Sequence, residues 1–220
     1  MRIPIVPTTA AITFAIASAL SAAAPETADA KLEAFFRKYL EECFQLRPLE
    51  ATQLGDRRFD DRLDDLSAGA RKRWREHVRN TLQQLPQAVA KEQLSPAGQV
   101  DFEILQHELT RALWLAENTS PFEEDPRVYN EYISDSIYLL LTQSTLPKET
   151  NLSNAIARMA QIPNIVAAAR ENLRNPSPVA TETAIRQNRG SIAFYQQELF
   201  EVAGETPQRD SLRAAAAPVV

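Results

Sequence analysis

Glycine is scarce in this chain, five residues in 220, against a usual share of about 7 %. Tight hairpin turns need backbone angles that glycine and asparagine reach most cheaply, so a sheet-rich architecture is disfavoured. A single cysteine, Cys43, excludes an internal disulfide framework. A protein exported without disulfides has to be held together by packing. Only two histidines occur, His77 and His107, which restricts any metal site built on imidazole. Charge of one sign is also lacking. The net charge is −5, a mild acidity with no basic patch for nucleic acid or anionic lipid. There is no Gly-rich phosphate loop, no G-x-S-x-G nucleophile elbow, no internal repeat and no Gly/Ser linker. The chain therefore reads as one domain without an internal boundary.

The apolar run Ala10–Ala24 is uncharged but falls short of the roughly 20 residues a membrane-spanning helix needs. With Arg2 ahead of it and small residues after it, the run reads as a cleavable signal peptide. Two small-x-small sites follow, Ala22-Ala23-Ala24 and Ala28-Asp29-Ala30. Pro25 directly after the first is a poor geometry for a peptidase, so cleavage after Ala30 is the preferred expectation and Ala24 the second. An exported, periplasmic or secreted protein follows, with no membrane contact after cleavage. No cysteine stands at a cleavage position, which argues against a lipid anchor.

What is present is hydrophobic spacing of helical period. Leu32, Phe35, Phe36, Tyr39, Leu40, Cys43 and Phe44 recur at i, i+3, i+4 and i+7, one apolar stripe of an α-helix. Pro48 ends it and opens a short helix towards Leu54, with Gly55 as its stop. Ser67 is placed to cap a helix with Trp74, Val78, Leu82 and Leu85 inward, which Pro86 kinks or ends. Ser95-Pro96 opens another, carrying Phe102, Leu105, Leu109 and Leu113 to about Asn118. Residues 119–127 read as a loop. A helix from about Val128 to Gln143 contains the strongly apolar run Ile137–Leu141, for which a buried strand is the competing reading. Leu152, Ile156, Met159 and Ile162 mark a further helix, interrupted by Pro163 and resumed to Pro176. The last long helix spans Val179–Ala203, with Ile185, Ile192, Tyr195, Leu199 and Val202 inward and Gly204 as cap. Asp210 looks like the cap of a helix that begins just before the chain ends, as an interrupted reading frame would leave it. The fold class is all-α, an irregular bundle of about seven to eight helices.

Candidate chemistry is thin. His107-Glu108-Leu109-Thr110-Arg111 has the form of a zinc HExxH motif with arginine in place of the second histidine, and arginine cannot ligate zinc. The acids Asp56, Asp60, Asp61, Asp64 and Asp65 are interleaved with Arg57, Arg58 and Arg62 and lack the glycine of a calcium loop. Local ion pairs and capping of the helix after Ser67 explain them more simply. Cys43 lies on an apolar stripe, where it behaves as a small hydrophobe. Tyr129, Tyr132 and Tyr138 read as core and rim aromatics. No catalytic residue and no metal ligand is assigned.

The segment Arg47–Ser67, RPLEATQLGDRRFDDRLDDLS, carries more information. Pro48, Ala51, Thr52, Gly55, Asp56, Phe59, Asp60, Leu63 and Leu66-Ser67 resemble a bacterial family known as domain of unknown function 885. The resemblance continues through Leu94-Ser95, Asp101, Leu105, Leu109 and Leu113. It resumes at Ala157-Arg158, Ile162-Pro163, Ala169-Arg170, Leu173, Pro176, Thr181, Ala184, Asn188 and Gly190. It implies an exported, largely helical, zinc metallopeptidase-like protein more than twice this length, whose HExxPGHH-like motif lies beyond the region matched. In such a motif two histidines hold zinc and the glutamate activates its water. No position here matches it. The resemblance therefore implies that residues 31–220 are the N-terminal helical region of a truncated metallopeptidase-like domain, without a cofactor of its own. Its partner would be the missing C-terminal catalytic region, with peptide as the full-length substrate. Gly55, Asp56, Arg58, Asp60 and Asp61 are the candidates for shaping the cleft. The alternative is a stand-alone periplasmic helical binding module.

Overall fold

The computed structural model describes residues 27–220. The apolar run Ala10–Ala24 and the Ala22–Ala24 cleavage site lie outside those residues. Among the described residues all regular structure is helical, and eight α-helices reach eight residues or more, as the hydrophobic spacing predicts.

Helix α1 (Ala28–Leu46) begins where the Thr27 hydroxyl accepts the Ala30 N–H at 3.2 Å. It ends before Pro48, which opens α2 (Pro48–Gln53). Ser67 caps α3 (Ala68–Ala88), accepting from Ala70 N at 3.2 Å, and Ser95 caps α4 (Pro96–Asn118), accepting from Gly98 N at 3.1 Å. Pro86 does not end α3 but sits in its last turn, where a missing N–H costs only one intrahelical bond. The apolar stripes of α1, α3 and α4 close on one another around Leu32, Val78, Leu85, Phe102, Leu105 and Leu109.

The stretch expected as loop contains a short helix, α5 (Pro121–Glu124), and a 3-10 turn, Pro126–Tyr129. The two prolines sit at first helical positions, where they start a turn rather than break one. A π turn, Glu131–Asp135, then leads into α6 (Ser136–Gln143), so the apolar run Ile137–Leu141 is helix and not strand. Next come α7 (Lys148–Met159), α8 (Ile162–Asn172), α9 (Pro178–Ala193), a second π turn (Phe194–Glu198), α10 (Leu199–Ala203) and α11 (Arg209–Ala216). These elements enclose a second core that includes Ile137, Leu152, Met159, Ile162, Leu199 and Leu212. Each fully buried aliphatic side chain contributes roughly 1.5–3 kcal/mol. The two π turns meet: the Tyr195 hydroxyl donates to the Ile133 carbonyl.

Two expectations at this end of the chain are corrected. Ile185, Ile192 and Val202 face solvent, while Ala180, Ala184, Ser191, Tyr195 and Leu199 face inward. Helix α9 approaches its neighbours through alanines, which allows close packing, and the π turn re-phases the helix after Ala193. Gln208, not Asp210, takes the cap position of α11, and Asp210 lies in its first turn.

Candidate functional site

The segment between α1 and α3 is anchored at two places. Leu49, Leu63 and Leu66 enter the second core, while Phe59 packs with Phe44 and Ala51 in a small cluster of their own. Its first half is a compact turn. Gly55 adopts φ +92°, a left-handed conformation that side chains with a Cβ resist. Its N–H donates to Thr52 O at 3.1 Å, and Asp56 N donates to Ala51 O at 2.8 Å. The Asp56 carboxylate caps the 3-10 turn Arg57–Phe59, accepting Arg58 N at 3.1 Å. Arg58 bridges Asp56 Oδ2 at 2.6 Å and Glu41 Oε2 of α1 at 2.7 Å. Hydrogen bonding from Arg58 holds the Asp56 carboxyl below the usual range.

The second half, residues 60–66, begins with a turn at Asp60–Asp61 and continues without regular structure. Burying such backbone requires other donors and acceptors, and distant side chains supply them. Gln161 at the α7–α8 junction accepts Leu63 N at 3.0 Å and donates to Asp61 O at 2.8 Å. Asn172 and Arg71 donate to Leu66 O at 3.2 and 2.9 Å. Asp64 accepts Leu49 N at 3.0 Å and the Tyr132 hydroxyl at 3.2 Å. Burial raises its pKa, and those hydrogen bonds oppose the rise.

Asp60 turns inward, with 1 % of its surface exposed. It accepts the Thr52 hydroxyl at 2.7 Å. Beside it stands Arg158 of α7, with no exposed surface at all. Its guanidinium donates to Thr52 Oγ1 at 2.5 Å and to Ser136 O at 2.9 Å. Burial pulls its pKa down to about 10 and the facing Asp60 opposes this, so the group stays charged at neutral pH. A buried charge requires such compensation. The cluster Thr52–Asp60–Arg158–Ser136 therefore ties α2, the acidic segment, α6 and α7 together.

Of the five cleft-shaping candidates, Gly55, Asp56, Arg58 and Asp61 lie at the surface or partly exposed, and Asp60 is an internal anchor. A groove of about 320 Å³ runs between Leu63–Ser67 and α8, with Asp65, Asn164 and Glu171 in its walls. A second cavity of about 310 Å³ lies between Tyr129–Ile133, α8 and α9, walled by Val166, Leu173 and Tyr195. None of the five candidates lines either one.

The residues present do not fit a zinc ion. His107 is exposed on α4, and its neighbour Glu108 is paired to Arg111 at 2.6 Å. His77 stacks on Tyr39 with ring centroids 5.7 Å apart, and burial lowers its pKa. Among the described residues no three His, Cys, Asp or Glu side chains group as metal ligands. Cys43 is buried, and burial pushes its thiol up to about 12, far from a reactive thiolate.

The sequence analysis gave Gln161 and Asn172 no role and named Arg158 only among the residues that carry the resemblance, although all three hold the Arg47–Ser67 segment. For Arg158 a signal existed. Leu152, Ala155, Arg158 and Met159 share one face of α7, so an arginine stands on an otherwise apolar stripe.

A family described as "Bacterial protein of unknown function (DUF885)" matches residues 48–220. No curated protein matches the chain. Among solved structures, a protein from Shewanella oneidensis described as a lipoprotein of unknown function is similar, with a TM-score of 0.74 at 23 % identity. The likeness, which is one of fold, covers 86 % of this chain and 34 % of that one. This chain thus spans about a third of that protein's length.

Proposed function

Because the chain belongs to the DUF885 family of bacterial proteins of unknown function, we propose that it is the N-terminal helical part of an exported, metallopeptidase-like protein. In this reading it is a scaffold without catalytic groups, one wall of a cleft that further polypeptide completes. The observation that carries the reading is the set of exposed apolar side chains on α9 and α10. Val179, Ile185, Ile192 and Val202 are 76, 48, 38 and 41 % exposed, on a helix whose inner face is built from alanine and serine. Val100, Ile104 and Trp114 make a comparable exposed stripe on α4. Soluble monomers rarely leave large contiguous apolar patches uncovered. A further chain segment packed on these faces accounts for them, and the length of the Shewanella oneidensis protein gives such a segment room.

The zinc ligands that the resemblance implies would sit in that further region, and peptide substrates would meet them there. The internal clusters of this chain would hold the wall rigid. Export is supported by the leader-like N-terminus and by the description of the solved relative as a lipoprotein. No helix among the described residues is long and apolar enough to cross a membrane.

The test is to purify the 220-residue chain alone and measure binding of a hydrophobic dye together with its solution mass. Dye binding and self-association are expected. A compact monomer with a sharp melt and no dye binding would refute the scaffold reading and favour the stand-alone binding module. Reading the DNA downstream of the Val220 codon gives an independent check: an open frame reaching an HExxPGHH-like segment is expected.

A further inference from the structure

We propose that the cavity between α8 and α9 binds a small anionic amphiphile, its apolar body inside and its carboxylate on Arg170. The proposal goes beyond the scaffold reading and does not depend on it.

The cavity lies between Tyr129–Ile133, α8 and α9 and holds about 310 Å³. That is the lower end of the roughly 300–1,000 Å³ that small-molecule sites occupy. One short apolar chain fits such a space better than a helix or a two-chain lipid. Ile133, Val166, Leu173 and Ile192 supply aliphatic wall, and Tyr129 and Tyr195 supply aromatic wall. Both tyrosine hydroxyls donate elsewhere, Tyr129 to Phe122 O at 2.7 Å and Tyr195 to Ile133 O. Burial raises the pKa of both, so they stay neutral. The Ser191 hydroxyl donates to Gln187 O at 3.2 Å. These groups offer a ligand mainly contact surface.

Charge gives the cavity a direction. Arg170 is the one charged side chain among its lining residues, and no acidic side chain lines it. Elsewhere on the surface Arg58, Arg79, Arg111 and Arg127 each hold a carboxylate at 2.6–2.7 Å. Arg170 is exposed and makes no ion pair among the described residues. Arg189, equally exposed, shares the α9 face of Ile185 and Ile192 and follows Asn188, which also lines the cavity. The protein as a whole carries a net charge of −5, so the positive sign belongs to this face and not to the surface in general. A guanidinium presents a planar fork of donors that matches a carboxylate. The wall therefore favours an anionic head group over an ammonium or a neutral one, next to an apolar interior that takes the body.

The test is isothermal titration calorimetry of the full 220-residue chain with octanoate, kept below its micelle-forming concentration, and with octanamide. One saturable equivalent of octanoate is expected, bound about fivefold more tightly than the neutral amide, the worth of one exposed ion pair. Arg170→Gln, at an exposed position, should remove most of that preference and leave octanamide binding unchanged. Val166→Phe, which fills the cavity, should weaken both ligands about tenfold or more; thermal melting checks that both variants fold. No octanoate binding, equal affinity for octanoate and octanamide, or an unchanged preference in Arg170→Gln would overturn the proposal. Unsaturable uptake, the mark of adsorption on the exposed apolar side chains, would overturn it too while leaving the scaffold reading standing. A compact monomer that binds one octanoate would support the ligand site and refute the scaffold reading.

Discussion

Replacing Arg158 by methionine should do more damage than any surface charge change in this protein. The methionine fills much of the stem volume but leaves the Ser136 carbonyl without its donor. It also removes the buried cation that faces Asp60 across the Thr52 hydroxyl, leaving that fully buried carboxylate only Arg57 Nη1 at 3.7 Å. Removing one partner of a buried charge pair costs about 3–5 kcal/mol, because the remaining charge cannot reach water. Whole-domain stabilities are of order 5–15 kcal/mol, so the loss is a large share. With a urea slope of about 2 kcal/mol/M, the midpoint should fall by roughly 1.5–2.5 M. The assay is urea unfolding followed by far-UV circular dichroism, with the slope held as a control. The double variant Arg158→Met, Asp60→Asn should recover part of the loss, since asparagine can keep the Thr52 bond without a charge. Residues in one network are expected to be non-additive. A midpoint shift below about 0.5 M, or strict additivity of the two changes, would refute the view that Asp60 and Arg158 depend on each other.

Three further outcomes follow from the same geometry. Gln161→Ala should destabilise by about 1 kcal/mol, since it leaves the partly buried Leu63 N–H without its acceptor, and should speed amide exchange at Leu63 selectively; uniform exchange across the chain would contradict the clasp. His77 is half-buried among Tyr39 and Trp74 and its pKa is lowered by that burial, so the folded state binds fewer protons there than the unfolded state. Its contribution is present above the unfolded pKa of about 6.5 and is lost as pH falls through the lower folded value; His77→Phe should flatten the slope of stability against pH in that window, and an unchanged slope would place the titration elsewhere. Cys43, buried with its thiol pushed up to about 12, should resist alkylation at pH 8 in the native protein and react once urea unfolds it; prompt native labelling would mean that α1 opens locally.

The helices were legible because their determinants are local. Ser67 and Ser95 as caps, and Gly55 and Gly204 at positive φ, all act within about one turn of chain. The inward stripe of α9 was misread for an equally local reason. Apolar spacing marked Ile185 and Ile192 as core, but small residues won the inner face, since alanine permits a closer helix approach than isoleucine. The π turn at Phe194–Glu198 left no mark in the spacing. For the candidate site, the acidic segment stood out in the sequence, but nothing local marked Asp60 and Asp64 as buried and the other acids as exposed.

The sequence alone determined the all-helical character of the described residues, most of their caps and stops, the inertness expected of Cys43 and the absence of a second zinc-motif histidine at Arg111. These follow from backbone sterics and from residue chemistry over a few neighbouring positions. Only the tertiary structure decided which charges are internal. Thr52 and Arg158 are 106 positions apart, and so are Leu66 and Asn172. Whether an aspartate is solvated or buried depends on whether such a partner arrives to compensate it, and no periodicity along the chain records that.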